Sequence, residues 1–449
     1  MNKLKQSCLS SPARIIIIGF MTLILTGTFL LMLPLSTRSG SGASFLDALF
    51  TATSATCVTG LVVHDTYQYW SIFGQSVILL LIQFGGMGVV TVAITLGIFS
   101  GKKIGLRQRV IMQESISAPH MSGIVRITGF IVKTCILIEL VAAFLLTLRF
   151  YPSMGLLKSV WNGIFHSVSA FCNAGFDLMG EKDAYISLCN FSEDPVINFI
   201  IMGLIIVGGI GFFVWEDLLR NKWHFHKYRL QTKLVLITTV LLLLLPALYF
   251  YFYEFNQPQW GFLTGKERLL GSMFQSVTPR TAGFNTLDLS LLTEPGIMLM
   301  TALMLIGGSP GSTAGGFKTT TLASMLLCIS AVFQRKEHIQ CFGRRIPQEV
   351  IRNGAALFSL YTMLFLAGGI VISCIDHLPL MSCLFEAASA LGTVGLSLGI
   401  TRDLSTLSKL ILILYMYFGR VGGLTIIYAV AKNGLTTPSR FPQEKITVG

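Results

Sequence analysis

The sequence predicts an all-α integral membrane protein with eight transmembrane helices and four re-entrant segments, arranged as four repeats with pseudo-fourfold symmetry. Three observations carry this prediction: an apolar composition, a series of long apolar stretches, and a phrase that recurs along the chain. Of the 449 residues, 53% are hydrophobic and only 12% are charged. A soluble fold cannot bury so much apolar surface, so the composition argues strongly against a soluble enzyme.

Eight apolar stretches are candidates to cross the bilayer, which takes about 20 residues in a helix. They are residues 15–35, 72–99, 127–148, 196–214, 234–252, 297–333, 355–375 and 410–431. The first is too long for a signal-peptide core and lacks a small-residue cleavage site, so we expect a retained helix. Each successive pair of stretches encloses a shorter semi-polar segment, which suits a re-entrant helix.

The four short segments end in similar phrases, each beginning with Phe and finishing with Gly. The final glycines are Gly60, Gly175, Gly283 and Gly395, which lie 115, 108 and 112 residues apart. The third phrase is one residue shorter than the others, so its helix end should differ. This spacing indicates a fourfold internal duplication. The repeats are expected at residues 1–110, 111–222, 223–340 and 341–449.

The distribution of charge predicts the orientation of the chain. The net charge is +12. With the amino terminus inside, the predicted inner segments hold more than twice as many Lys and Arg residues as the outer ones. This bias places both termini in the cytoplasm. It also accounts for much of the positive charge without a nucleic-acid partner.

The recurring glycines predict a filter for a monovalent cation. If the short segments enter from the outer face and return as extended chain, their ends meet around one axis. Backbone carbonyls can there replace the hydration shell of an ion, and Gly adopts the required backbone angles. No Asp or Glu occupies the glycine positions, which favours potassium over calcium. One such phrase alone more often reflects helix packing, but four between pairs of spans indicate a filter.

These phrases resemble the membrane subunits of the Trk/Ktr/HKT potassium transporters. The resemblance rests on residues 47–61, 171–176, 278–285 and 392–396 and on the glycine-rich stretch around Lys318. It extends over nearly all the chain. The Ktr branch is the more similar, because the first span begins too early for the additional amino-terminal helix pair of the Trk branch. The carboxyl-terminal residues 441–449 are also similar to those of the Ktr branch.

The resemblance implies that one glycine per repeat lines the filter and that the two residues before it supply coordinating carbonyls. The implied filter residues are Val58, Thr59, Gly60, Asn173, Ala174, Gly175, Thr281, Ala282, Gly283, Thr393, Val394 and Gly395. Potassium is then the substrate, bound through backbone carbonyls alone. No catalytic residue and no cofactor are expected in this chain. We further expect Arg280 and Glu386 to brace the filter from behind.

The sixth apolar stretch predicts a gate. Residues 307–318 are too rich in Gly, with a Pro, to stay helical, and such backbone is tolerated at membrane depth where it lines a water-filled cavity. The resemblance implies an intramembrane gating loop here. The expected gate residues are Gly307, Gly308, Gly311, Gly315, Gly316, Lys318 and Arg420. Lys318 either repels permeating ions or only snorkels or pairs with an acid. Arg420 either contacts the loop carbonyls or bonds a neighbouring helix.

There are two alternatives to potassium uptake by filter-selected permeation. A phosphate-binding loop is disfavoured because Phe317 separates Gly316 from Lys318 and no βαβ unit is apparent. A cation-coupled secondary transporter of another solute is the alternative, although it favours inverted repeats and these two-span units keep one orientation.

The resemblance also implies the setting in which the chain works. We expect a multi-pass protein of the plasma membrane, surrounded by lipid, that forms a homodimer on a cytosolic ring of nucleotide-binding RCK subunits. The nucleotide would therefore bind a separate regulatory subunit.

Overall fold

The computed structural model describes residues 12–88, 91, 105–115, 123–423 and 425, and this part of the chain is almost entirely helical. The helices of the first half are α1 Pro12–Leu31, α2 Phe45–Thr56, α3 Thr66–Tyr69, α4 Ile72–Met87, α5 Leu106–Ser115, α6 Ile124–Met154, α7 Leu156–Phe171, α8 Pro195–Ile210 and α9 Phe212–Asn221. Those of the second half are α10 Leu230–Phe252, α11 Gly265–Val277, α12 Glu294–Leu305, α13 Thr319–Phe333, α14 Gln348–Asp376, α15 Leu380–Gly392 and α16 Thr406–Val421.

Short elements connect these helices. The 3₁₀ turns are Pro34–Ser36, Cys189–Phe191, Phe225–Lys227, Glu254–Asn256, Pro258–Trp260, Leu289–Leu291 and Thr401–Asp403. Strands β1 Gln340–Cys341 and β2 Arg344–Arg345 form an antiparallel hairpin with Cys341 opposite Arg344.

Four structural units follow one another, each made of a long helix, a short buried helix and a second helix. The triplets are α1, α2 and α4; α6, α7 and α8; α10, α11 and α12; and α14, α15 and α16. The long helices α1, α6, α10 and α14 are long and apolar enough to cross a membrane. Large apolar side chains such as Leu137, Leu245 and Met363 are more than half exposed on them, as expected of surfaces that face lipid.

The short helices form the interior of the protein. Each recurring phrase begins with a phenylalanine, and Phe50, Phe165, Phe274 and Phe385 are all fully buried. Most other residues of α2, α7, α11 and α15 are buried as well. The recurring phrase therefore marks the packed centre, and its carboxyl-terminal ends converge there.

The second helices are interrupted where the sequence suggested continuous spans. In the first, second and fourth units the interruption is a glycine with positive φ, namely Gly88 (84°), Gly211 (103°) and Gly422 (88°). At Gly211 the axes of α8 and α9 are bent by 95°. Such a φ is inaccessible within a right-handed helix. The remainders of stretches 72–99 and 410–431 lie largely outside the described residues.

The third unit is interrupted over a longer segment, as the sequence predicted. Helix α12 ends at Leu305 and α13 begins at Thr319, so residues 306–318 are not helical. All four units thus interrupt the second helix at a corresponding position, but only the third does so with a long loop.

Candidate ion filter and gate

The four recurring glycines form a closed ring. A side chain added at Gly60 would meet the carbonyl oxygen of Ala174, in the next unit. Gly175 faces the corresponding carbonyl of the third unit, that of Ala282, with 2.7 Å to an added Cβ. Gly283 faces the fourth unit in the same way, and Gly395 returns to the first. The structure therefore brings together the four chain segments that the sequence predicted to converge.

A second position in each segment also has left-handed backbone. The residues two positions before the glycines are Val58, Asn173, Thr281 and Thr393, with φ of 57°, 60°, 61° and 51°. Val and Thr are β-branched, and for such residues a positive φ is strained. All four are buried, which holds them in this conformation. Sequence reasoning anticipated the glycines but not this position, for which only Asn173 gave a local signal.

Alternating backbone angles leave the carbonyls of these segments without hydrogen-bond donors. Within the part of the chain that the structure describes, no hydrogen bond is donated to the carbonyl oxygens of the twelve implied filter residues. Their amides, by contrast, are tied back to the short helices. Thr59 donates to the Ser54 carbonyl at 2.8 Å, and Val394 donates to that of Ser389 at 2.8 Å. Buried carbonyls that are free to accept can coordinate a cation.

The hydroxyl groups that hold the segments differ between units. In the first and fourth units, Ser54 and Ser389 accept from the amides of Gly60 and Gly395 at 3.1 and 3.0 Å. In the second unit, the Ser169 hydroxyl donates instead to the Phe176 carbonyl at 2.7 Å. The third unit is held by the same kind of hydrogen bond as the second.

In the third unit, the Thr278 hydroxyl donates to the carbonyl of Phe284. The shorter third phrase also changes the amide bond, since Ala282 donates to the Thr278 carbonyl four residues back instead of five. The different helix end expected for this unit is therefore found.

The glycine ring opens on one side into a cavity of about 580 Å³. All four ring glycines line it, together with Asp65, Asp177, Asp183, Asp288 and Arg402. Burial, and to a smaller extent the charge of Asp65, raises the pKa of Asp177 to about 7. An excess of carboxylates at an entrance raises the local concentration of cations.

The candidate gate, residues 307–318, forms a closed loop whose ends are joined by backbone hydrogen bonds. Ile306 pairs with Phe317 in a parallel bridge, and the Gly307 amide donates to the Phe317 carbonyl at 2.9 Å. The Thr319 amide donates to the Gly308 carbonyl at 3.1 Å. Helices α12 and α13 are therefore joined at the base of the loop, and residues 309–316 project beyond that base.

The projecting part of the loop lies against the filter segments. The Thr313 hydroxyl is 3.2 Å from both the Phe171 carbonyl and the Asn173 side-chain oxygen. Gly315 packs on the Thr393 side chain, and its neighbour Gly316 is close to the Gly392 carbonyl. The loop thus touches two of the four left-handed filter residues, in the second and fourth units.

Two cations hold the loop through backbone carbonyls. Lys318 donates to the carbonyls of Ala314 and Gly315 at 2.8 and 3.4 Å, both within the loop. Arg420 donates to the Thr313 carbonyl and, across to the first unit, to the carbonyls of Gly85 and Gly86.

Neither cation pairs with a carboxylate among the described residues. For Lys318 the structure thus shows bonds to the loop itself, not the acid partner that was one alternative. For Arg420 it shows both bonds that the sequence left open, one to the loop and one to a neighbouring helix.

A second cavity of about 250 Å³ lies on the other side of the loop. Its lining includes the loop residues Gly311, Gly316 and Lys318, together with Arg420. A path between the two cavities therefore has to pass the glycine ring and the loop. Gly307, Gly308 and Gly315 lie within the loop fold, where added side chains would meet neighbouring atoms of the loop or of Thr393.

Two residues expected behind the filter have different surroundings. Glu386, fully buried on α15, accepts from the Ser397 and Thr401 hydroxyls at 2.5 and 2.7 Å and so holds the segment after the fourth filter glycine. Arg280 is also buried, and its backbone carbonyl accepts from the Asn173 side chain at 3.1 Å. Its guanidinium Nη1 has no hydrogen-bond partner within the described part of the chain.

Comparison with known proteins shows what this arrangement is similar to. The family model of TrkH, described as a cation transport protein, matches residues 4–437. The potassium/sodium uptake protein NtpJ of Enterococcus hirae is 40% identical, over 98% of this chain and 97% of its own. The Ktr system potassium uptake protein B of Bacillus subtilis is 38% identical, again over 98% and 97%.

Solved structures include a similar fold. The crystal structure of the potassium transporter TrkH from Vibrio parahaemolyticus matches with a TM-score of 0.72. The match covers 94% of this chain and 86% of that one at 21% identity. At this identity the likeness concerns the fold.

Proposed function

Because the chain belongs to the TrkH family of cation transport proteins, we propose that it is the ion-translocating subunit of a potassium uptake system. The family assignment confirms the resemblance that the sequence phrases indicated. It also confirms that the chain is a membrane transporter and not an enzyme. Relatives at 38% and 35% identity are named Ktr system potassium uptake protein B, and these matches cover nearly the whole chain.

The observation that carries the proposal is the ring of four glycines with unbonded carbonyls, between an acidic outer cavity and a second cavity beyond the loop. A weakly hydrated monovalent cation loses less on dehydration than a divalent one, so carbonyl dipoles without carboxylates suit potassium. Short helices ending at the ring direct the negative ends of their dipoles toward the ion. In this proposal α2, α7, α11 and α15 are pore helices.

The proposal includes the finer architecture expected from the sequence. Four long helices and four interrupted second helices would make eight spans, and the pore helices with their filter segments would be re-entrant from the outer face. Both termini would then lie in the cytoplasm, and the protein in the plasma membrane. The proposal keeps the four repeats expected from the sequence, at residues 1–110, 111–222, 223–340 and 341–449.

The loop at residues 307–318 is proposed as the gate. It lies between the ring and the second cavity, and its contacts with the second and fourth units, including Arg420, support a closed position. The pinned base lets the loop move while α12 and α13 stay in place.

Regulation would come from a separate subunit. The naming of relatives as components of a Ktr system supports an assembly of several parts. We therefore keep the expectation of a homodimer seated on a cytosolic ring of nucleotide-binding RCK subunits.

Ion flux in proteoliposomes tests the proposed function. The purified chain, with potassium outside and an impermeant cation inside, should carry potassium and prefer it to sodium at equal concentration. Liposomes without protein give the background leak. Potassium flux at that background, from protein that is folded and correctly inserted, would overturn the proposal. Equal sodium and potassium flux would show that the chain does not select potassium. The name of the Enterococcus relative, which mentions both ions, makes the sodium arm necessary.

A further inference from the structure

A cleft of about 770 Å³ lies where two inner loops meet. One loop links α9 to α10, and the other is the hairpin of β1 and β2. Phe225 of the first and Phe342 of the second pack edge to face, with ring centroids 6.1 Å apart. The Lys233 ammonium lies 5.5 Å from both ring centres. The cleft is therefore built by contacts between loops that are more than a hundred residues apart.

The side chains that line the cleft are strongly basic. They include Lys227, Arg229, Lys233 and Arg344, as well as His226, and no acidic residue lines it. Among the described residues, Arg229 is the one of these basic side chains that approaches a carboxylate, with 3.9 Å to Glu216. Lys227 and Arg344 make no ion pair within the described residues. So much unpaired positive charge around one concave site favours a compact anion.

The position of the cleft indicates where that anion comes from. Leu230 lines the cleft and begins the apolar segment Leu230–Asn256, which is long enough to cross a membrane. Val240 and Leu241, further along the same helix, are 58% and 48% exposed. Trp223, just before the cleft, is 97% exposed, and exposed Trp is typical of the membrane interface. A bilayer spanned by α10 would place the cleft at the level of the lipid headgroups, with an apolar helix surface leading away from it.

We propose that this cleft binds the phosphate headgroup of an anionic phospholipid in the inner leaflet. Arg344 and Lys227 contact the phosphate, and the acyl chains lie along the exposed face of α10. Basic clusters at the inner end of a spanning helix recognise anionic lipid in this way. The proposal concerns a site separate from the ion pathway and does not depend on the ion transported. An acidic soluble protein is the other occupant to test, but it would not need the adjoining apolar helix surface.

Native mass spectrometry of the full-length chain tests the site. Protein in detergent is mixed with equal amounts of phosphatidylglycerol and phosphatidylcholine, and the bound lipids are counted. The wild type should retain at least threefold more phosphatidylglycerol. The double variant K227Q/R344Q should lose this preference. The variant K227R/R344K keeps the charges and should keep the preference, provided that both variants elute as the wild type does.

A matched control removes the same charge elsewhere on the inner side. Arg220 and Lys336 are exposed and do not line the cleft, so R220Q/K336Q should behave as the wild type. Equal retention of both lipids by the wild type would overturn the proposal, and so would an equal loss in the control variant, which would mean diffuse attraction. If K227Q/R344Q kept its phosphatidylglycerol but lost a soluble protein that copurifies with the wild type, the cleft would be a protein-docking surface, and the lipid proposal would be wrong.

Discussion

The glycine ring and the loop at residues 307–318 are both made of irregular, glycine-rich chain, but they are held in different ways. The ring is built four times, and each segment is fastened mainly to its own short helix, as Thr59 is to Ser54. The loop is built once and is fastened to other units, through Thr313 to the second and through Arg420 to the fourth and first. In the proposed function the ring has to keep one geometry and is secured locally, whereas the loop has to move and is secured by contacts that can be released.

The largest effect is expected from breaking the ring. In Gly175→Ser the new side chain would stand 2.7 Å from the Ala282 carbonyl, at a residue with φ of 68°. We expect potassium affinity in uptake assays to fall by more than about tenfold, which corresponds to ~1.4 kcal/mol. The control is Gly129→Ala on α6, because an added Cβ there meets no atom within 4 Å. Unchanged affinity and selectivity in Gly175→Ser would contradict the proposed filter.

A somewhat smaller effect, in the opposite direction, is expected from releasing the loop. Arg420→Gln removes charged donors to Thr313, Gly85 and Gly86. Gln still carries amide donors, so we take the net loss as that of one charge-assisted hydrogen bond at the lower end of the roughly 1.5–3 kcal/mol range, and potassium flux without any partner should rise by about tenfold. Arg335→Gln, an exposed change at the end of α13, is the control for lost charge. A well-folded Arg420→Gln protein with unchanged or lower flux would argue against a gate.

The contact between loop and filter allows a finer test. Thr313→Val keeps the shape of the side chain and removes the hydroxyl that lies 3.2 Å from the Phe171 carbonyl and the Asn173 side chain. One neutral hydrogen bond contributes about 1 kcal/mol, so flux should rise two- to fivefold. Thr362→Val, on the exposed surface of α14, is the matched control. If the two substitutions had the same effect on flux, Thr313 would not couple the loop to the filter.

The smallest effect is expected at the outer cavity, beyond the ring glycines that line one end of it. The pKa of Asp177 is raised to about 7, so this carboxyl gains a proton as external pH falls through that value. The cavity then loses negative charge, and the KM for potassium should rise by about twofold between pH 8 and pH 6 at low salt. In Asp177→Asn the KM for potassium should change little between pH 8 and pH 6. If the KM of the variant rose as much as that of the wild type, another group would be responsible for the pH dependence.

The sequence predicted the parts of the site whose geometry is encoded locally. The four ring glycines and the break after Leu305 depend on Gly and Pro, whose backbone preferences are independent of the fold. The positive φ of Val58, Thr281 and Thr393 was not predictable in this way, because local preference opposes it and only the assembled ring enforces it. The sequence left two directions open for the Arg420 side chain and could not choose between them, since one partner, Gly85, lies 335 residues away.

The interruption at Gly211 shows a related limit. Residues 196–214 form one apolar stretch, and hydropathy does not distinguish a straight helix from one bent by 95°. Gly208 packs against the Phe171 carbonyl, and Gly209 follows it in the same helix. The bend occurs two residues further on, where the Phe212 amide donates to the Gly311 carbonyl of the loop at 2.8 Å. The partner that stabilises the bend is therefore distant in sequence.

If the loop is the gate, as we propose, its pinned base has a consequence for the speed of opening. Because Gly307 is bonded to Phe317 and Thr319 to Gly308, the ends of the loop meet whether its tip is docked or free. The entropy of bringing those ends together is then lost on folding and not again at each closure. Loop movements occur within nanoseconds to microseconds, whereas collective rearrangements of helices take microseconds to milliseconds. We therefore expect brief, frequent openings in single-channel recordings. The closed dwell times would be set by how fast the contacts of Thr313 and Arg420 break.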